Sequence, residues 1–180
     1  MKNIYYITLI ACAILCSEGV SAQKFPDLDK SPADIAYLRG KDKLPVVKVI
    51  YGRPQKKGRK VFGDLEQFGK VWRTGANEAT EIKFFKDVKI GDKDVKAGTY
   101  SLFSIPDSST WTMIINTETD IWGAYTYNKE KDVLRTVVKT QTLPTVVEAF
   151  SIIFKENETG GNLILAWDKT MVELPIVVSK

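Results

Sequence analysis

The sequence contains no histidine and only two cysteines, and this restricts the chemistry open to the protein. Without histidine there is no usual general base near neutral pH, no commonest metal ligand, and neither a Ser-His-Asp nor a Cys-His nucleophile system. The phosphate-cradling patterns G-x-x-x-x-G-K-[ST] and G-x-G-x-x-G are also absent. We therefore expect no bound metal and no cofactor.

The first 22 residues have the layout of a cleavable secretory signal. Lys2 precedes an apolar run over 4–15, and small residues at 20–22 predict cleavage between Ala22 and Gln23. The run is too short to span a bilayer, which needs about 20 apolar residues. Lipid attachment at Cys12 is disfavoured, because it would leave an apolar stretch on the mature chain. We expect export to the periplasm or the medium, without a transmembrane segment.

Signal removal would leave residues 23–180, which we predict to form a single β-rich domain. Both cysteines, Cys12 and Cys16, would leave with the signal, so we expect no disulfide, no thiolate chemistry and no thiolate-bound zinc. The formal net charge of +4 points to no particular partner, and we expect no nucleic-acid binding. The basic run 56–60 fits a solvated loop better than a surface for anionic lipid or polysaccharide.

Alternation of apolar and polar residues predicts strands along most of the chain. Trp111, Met113 and Ile115 share one face, as do Leu163, Leu165 and Trp167. Short Gly, Asp, Ser and Asn segments separate such runs, which is typical of β-hairpins. The pattern predicts an all-β fold, an antiparallel β-sandwich of about eight to ten strands that is jelly-roll-like. A closed β-barrel is the alternative.

The region 52–80 breaks the alternation with basic residues and glycines. We predict a long irregular loop there, with a single helical turn over 64–68. Long irregular loops in compact domains often carry function, so this region is the first candidate for a site.

Several motifs in and after this loop are distinctive. The longest is W-R-T-G-A-N-E-A-T over 72–80, and others are Y-G-R-P at 51–54, G-R-K-V-F-G at 58–63, A-G-T-Y-S-L at 97–102, W-G-A-Y at 122–125 and D-V-L-R at 132–135. With these motifs the chain resembles the bacterial family catalogued as domain of unknown function 2911, from Ser31 onward. The resemblance implies an exported, single-domain envelope protein of Gram-negative bacteria and carries over no activity or catalytic residue. Gly52 departs from the serine expected before the Arg-Pro pair.

The motifs supply a candidate ligand site of seven residues: Arg53, Arg59, Arg73, Asn77, Glu78, Trp122 and Tyr125. The three guanidinium groups could converge on a carboxylate, sulfate or phosphate of a ligand, while the two aromatic rings form a wall for a sugar or planar group. A purely structural role is the other interpretation. In that case Arg73 pairs with Glu78 or Asp132, and all four tryptophans belong to the core.

Carboxylates are the remaining catalytic option, because a glycosidase needs only two of them. The candidates are Asp64, Glu66, Glu78, Asp120 and Glu148. Our leading hypothesis is a non-enzymatic binding module for an anionic or carbohydrate ligand. The alternatives are a carboxylate-dependent hydrolase or lyase acting on polysaccharide, and a purely structural envelope protein.

Overall fold

The computed structural model describes residues 23–179. The predicted signal, its cleavage site on the Ala22 side and Cys12 lie outside the described residues. Over 23–179 the chain has no α-helix, and one short 3-10 turn occurs at Lys129–Lys131. The nine strands are β1 Ala33–Arg39, β2 Pro45–Gly52, β3 Thr80–Phe84, β4 Val88–Ile90, β5 Lys93–Val95, β6 Gly98–Pro106, β7 Thr110–Asn116, β8 Asp132–Asn157 and β9 Gly160–Val178.

All nine strands belong to one antiparallel sheet in the order β1-β2-β3-β6-β7-β8-β9-β4-β5. The sheet is open, so the predicted all-β antiparallel class is confirmed and the closed barrel is wrong. The first part of β8 pairs with β7, and its second part pairs with β9. Register shifts between Thr142 and Ser151 mark irregularities in β8, and such bulges bend a strand. The bend lets the sheet fold back on itself in a sandwich-like arrangement.

The predicted alternation determines which side chains enter the core. Ile82, Phe84, Met113 and Ile115 are fully buried between the layers, as are most of their partners at alternate positions. The loops that the sequence predicts at 91–94, 107–109 and 157–161 each connect two strands. Two of them are shorter than predicted, with turns at 91–92 and 158–159, because their outer residues belong to the strands.

An aromatic cluster fills the middle of the core. Trp72 stacks on Trp167 at 5.9 Å between ring centroids, and Phe62 meets Trp111 edge-on at 4.8 Å. Phe150 completes the cluster at 5.0 Å from Trp72. Because Phe62 and Trp72 come from the irregular region 52–80, burial of their rings fastens that region to the sheet, and burying an aromatic ring is worth about 2 kcal/mol or more.

The end of β2 is joined to the second part of β8 by side chains. The Tyr51 hydroxyl accepts from the Ile152 amide at 2.9 Å and lies 3.3 Å from the Asp34 carboxylate. The Arg53 guanidinium donates to Asp34 at 3.1 Å and to the Phe150 carbonyl at 3.1 Å. These contacts hold the edge formed by β1 and β2 against β8, although neither β1 nor β2 is a neighbour of β8 in the sheet.

The helical turn predicted over 64–68 is wrong. Residues 64–68 contain no helix, and Glu66 forms an isolated bridge with Phe62. The Glu66 amide donates to the Val61 carbonyl, and the Gly63 amide donates to the Glu66 carbonyl, both at 2.9 Å. These reciprocal bonds close a small loop instead of a helical turn.

Candidate functional site

The W-R-T-G-A-N-E-A-T segment forms a tight loop that leads from the aromatic core into β3. The Trp72 indole N–H donates to the Gly75 carbonyl at 3.1 Å, and the Thr80 hydroxyl donates to the Thr74 carbonyl at 2.7 Å. The Thr74 hydroxyl donates to Ser104 Oγ on β6 at 2.9 Å. Thr74 is buried at a φ of 55°, a conformation that is strained for a β-branched residue. Two hydrogen bonds within the loop and one to β6 therefore fix the conformation of the loop.

Gly52 lies against the same loop, and the contact explains why it has no side chain. A Cβ built at Gly52 would stand 2.3 Å from the Ala76 carbonyl oxygen. This is too close for any residue other than glycine unless the loop moves. The departure from the expected serine at this position thus reflects a close backbone approach in this chain.

A cleft opens beside this loop on the outer face of the sheet. Its floor is a cross-strand row in which Ile50 on β2 pairs with Glu81 on β3, and Glu81 pairs with Ser101 on β6. Adjacent residues such as Val49 and Ile82 are buried in the core, so the row points away from it. The cleft has a volume of about 610 Å³, within the usual size of a small-ligand site.

Two segments wall the cleft on opposite sides of this floor. Asp29 and Ser31 of the N-terminal segment line one side. Thr119, Asp120 and Trp122 of the loop after β7 line the other. The Asn77 amide donates to the Asp29 carboxylate at 3.1 Å. The Ser31 amide and this Asn77 bond hold the pKa of Asp29 below its ordinary value. Asp29 therefore carries a negative charge at the cleft wall.

Two of the six non-glycine residues with positive φ among residues 23–179 line the cleft. Asn77 and Asp120, both lining it, have φ values of 65° and 59°. Left-handed conformations are uncommon for residues other than glycine and cluster at functional sites. In this conformation the Asn77 carbonyl accepts hydrogen bonds from the Gly123 amide and from Arg73 Nη1.

The lining is acidic. Asp29, Glu78, Glu81 and Asp120 contribute carboxylates, and the part of the chain that is described places no lysine or arginine in the lining. Lys48 lies 3.5 Å from Glu81 and offsets one of these charges. Among residues 23–179 no group of three or more acidic, histidine or cysteine side chains is placed to hold a metal ion.

Five of the seven predicted site residues lie in or next to the cleft. Asn77, Glu78 and Trp122 line it, and Trp122 is 57% exposed, in contrast to the other three tryptophans in the core. Arg73 and Tyr125 both lie close to Gly123: a Cβ built there would stand 3.0 Å from Arg73 Nη1 and 2.7 Å from Tyr125 Cε2.

The three arginines do not converge on one point. Arg53 is bound to β1 and β8, as described above. Arg59 donates to the carbonyls of Lys56 and Gln55 within its own loop. Arg73 donates to the Asn77 carbonyl instead of pairing with Glu78 or Asp132, and Asp132 pairs with Arg135 at 2.6 Å. Arg73 therefore neither joins the other two arginines nor forms the ion pair expected from a structural role.

The five acids proposed from the sequence do not form one group. Only Glu78 and Asp120 line the cleft. Asp64 forms a surface ion pair with Lys60 at 2.9 Å, and Glu148 accepts from the Lys57 amide at 2.7 Å. Burial raises the pKa of Glu66 to about 7, against the opposing influence of Arg73 and Arg59.

The basic run 56–60 is partly neutralised within the fold. Lys56 pairs with Asp168 at 3.1 Å and also donates to the Arg59 carbonyl, while Lys60 pairs with Asp64. These bonds agree with a solvated loop whose charges are used locally.

Sequence reasoning missed part of the cleft. Asp29, Ser31, Glu81, Ser101 and Thr119 line it but were not proposed as site residues. Only Glu81 had a usable signal, since it lies on the polar face of an alternating strand. The others become neighbours only through strand pairing and loop placement.

A second cavity, of about 660 Å³, lies at the opposite end of β2. Leu38, Val46 and Val178 form much of its wall, and its rim mixes cations such as Lys86 with anions such as Glu156. It contains no aromatic side chain. The outer-face cleft is thus the site with the greater variety of ligand-binding groups.

Within the part of the chain that is described, no helix is long and apolar enough to cross a membrane. No curated protein and no solved structure matches the chain. The family model described as protein of unknown function (DUF2911) matches residues 31–176, which include every strand except the end of β9. The chain therefore belongs to the DUF2911 family.

Proposed function

We propose that the protein is an exported glycan-binding protein and that the outer-face cleft holds the sugar. The observation that carries the proposal is the position of Trp122, which is 57% exposed at a cleft that combines carboxylate, amide and hydroxyl groups with apolar side chains such as Ile50. Exposed aromatic rings stack on the apolar face of sugars, and the surrounding polar groups bond to the hydroxyls. Asn77, Ser101 and Glu78 offer such groups here.

The charge of the cleft favours an uncharged or amino-bearing sugar over an anionic ligand. The four carboxylates of the lining would repel a carboxylate, sulfate or phosphate. Among the described residues no cation lines the cleft to offset this repulsion. The guanidinium groups of Arg53 and Arg59, which an anion would need, are engaged elsewhere. Of the two ligand classes suggested by the sequence, the geometry supports the carbohydrate.

The test is a binding measurement by calorimetry on protein purified from a bacterial host expressing the full chain. Cello-, xylo- and deacetylated chito-oligosaccharides are the probes, and oligogalacturonate is the anionic comparison. We expect saturable binding of at least one neutral or amino-bearing series, about tenfold weakened or lost in Trp122→Ala.

Phe85→Ala is the matched control, because Phe85 is a surface aromatic residue, 39% exposed, just beyond the far end of β3. It should bind like the unmodified protein. Equal loss in both variants, or binding of oligogalacturonate alone, would refute the assignment of the cleft.

A carboxylate-dependent hydrolase is the second candidate, because Glu78 and Asp120 line the same cleft. One acid and one base or nucleophile suffice for glycoside hydrolysis. If the cleft is catalytic, Glu78→Gln and Asp120→Asn should each abolish release of reducing ends from a bound oligosaccharide while binding persists. Binding without any product would favour the non-enzymatic module.

A further inference from the structure

Tyr125 is the most exposed aromatic residue of the loop after β7, and it lies just beyond the cleft. Its ring is 80% exposed and does not line the 610 Å³ volume that Trp122 borders. Exposing so much aromatic surface forfeits burial that would stabilise the fold. Tyr125 is also only three residues from Trp122, so a single turn presents both rings to solvent.

The turn that carries Tyr125 is held in place. Gly123 has a φ of 69°, and its amide donates to the Asn77 carbonyl at 3.0 Å. With no Cβ at this position, the Tyr125 ring and the Arg73 guanidinium both approach the backbone at Gly123. The Tyr125 ring thus contacts this turn and is otherwise largely exposed.

The far end of the turn is anchored by a polar network on the outer face of the sheet. The Tyr127 hydroxyl donates to the Asp132 carboxylate at 2.6 Å and accepts from Arg135. The Tyr127 ring also packs edge-on against Phe103 at 5.1 Å. An anchored turn presents its rings without a large loss of conformational entropy on binding.

We infer that Tyr125 forms a second aromatic subsite that continues the one at Trp122, so that the ligand is a linear oligosaccharide or polysaccharide chain. This inference rests on the proposed function of the cleft. A chain long enough to reach both rings gains from the second contact, because that contact becomes intramolecular once the first is made. Tyr125 does not line the cleft, so a disaccharide confined to the cleft gains nothing from its ring.

The test compares affinities for the dimer and the hexamer of the cello-, xylo- and deacetylated chito-oligosaccharide series. The variants are Tyr125→Ala, Tyr125→Phe and Trp122→Ala, with Phe85→Ala as the control. We expect the hexamer to bind at least about tenfold more tightly than the dimer. Tyr125→Ala should remove this gain and leave the dimer affinity unchanged, while Tyr125→Phe, which keeps the ring, should retain it.

The other outcomes separate the subsite from the cleft itself. If Trp122→Ala weakens both oligomers but Tyr125→Ala weakens neither, the second subsite is refuted and the cleft stands. If Tyr125→Ala weakens dimer and hexamer equally, Tyr125 belongs to the cleft and the separate subsite is again refuted. If no oligomer binds, the proposed function fails together with this inference. Melting temperatures of all variants show that the changes in affinity do not arise from unfolding.

Discussion

Replacing Glu66 with glutamine should stabilise the protein at neutral and alkaline pH. The Glu66 carboxyl is largely removed from solvent, and this desolvation outweighs the favourable influence of Arg73 and Arg59 on its charged form. Its pKa accordingly rises from 4.5 to about 7. Glutamine keeps the shape of the side chain without the charge, so Glu66→Gln removes only the unfavourable ionisation.

The sign and size of the effect follow from the two pKa values. Between pH 4.5 and 7 the folded chain holds the Glu66 proton more tightly than the unfolded chain, so stability falls as the pH rises through this interval. At roughly 1.4 kcal/mol for each pH unit, the interval is worth at most about 3 kcal/mol. Movement of Arg59 or Arg73 towards the carboxylate would reduce it. For a domain of this size, the corresponding shift in melting temperature is at most about 6 to 12 °C.

Thermal unfolding followed by circular dichroism between pH 4 and pH 8.5 measures the effect. Glu66→Gln and the unmodified protein should melt together at pH 4 and diverge progressively between pH 4.5 and 7, with the variant more stable and the difference constant at higher pH. Glu158→Gln, at the exposed turn between β8 and β9, makes the same change of charge without burial and should show no such divergence. A variant that is less stable than the unmodified protein at pH 8 would refute the reasoning, because it would mean that the arginines outweigh desolvation.

Three further substitutions test the contacts that build the site, each by urea unfolding. Tyr51→Phe removes the hydroxyl that joins β2 to β8 and should lower the unfolding free energy by about 1 to 2 kcal/mol. Thr74→Val breaks the bond to Ser104 within the buried loop and should lower it by about 1 to 3 kcal/mol. Gly52→Ser places a Cβ against the Ala76 carbonyl and should lower it by at least about 1 kcal/mol.

Exposed counterparts give the baseline for the tyrosine and threonine measurements. Tyr37→Phe and Thr99→Val alter similar groups on the surface, where substitutions usually change stability by less than about 0.5 kcal/mol. If a buried variant loses no more than its exposed counterpart, the corresponding contact does not support the loop or the β2–β8 junction.

The strands could be predicted because their signal is local. Residues such as Met113 and Ile115 alternate with polar neighbours, and this alone fixes which face each side chain takes. The irregular region 52–80 could also be predicted, because the alternation stops there. The helical turn over 64–68 could not be corrected from the sequence, since it is displaced by bonds between Val61, Gly63 and Glu66 that depend on the closed loop.

The cleft could be predicted only in part, because it is assembled over long distances in the chain. Glu81 meets Ser101 through strand pairing, and both meet Asp29 through the course of the N-terminal segment. The separate hydrogen-bond partners of the three arginines could not be predicted for the same reason. Arg53 finds its partner Ser151 98 residues further along the chain, and no local pattern announces it.

The tryptophans show how context decides between core and site. Trp111 and Trp167 lie in alternating strands, and Trp72 is drawn into the core by its loop. Trp122 lies in a segment without alternation, between β7 and β8, and remains exposed. The absence of alternation alone does not separate the two cases, because Trp72 also lies in a segment without alternation and is buried.

The central claim is that sugar binds at Trp122, and nuclear magnetic resonance of the four indole N–H groups tests it most directly. Titration with the hexasaccharides used above should shift one indole signal saturably, and Trp122→Phe should delete that signal. The signals of the three buried tryptophans should remain in place. If every indole signal stays unchanged with all of the hexasaccharides, or if a buried one moves while that of Trp122 does not, the claim is contradicted.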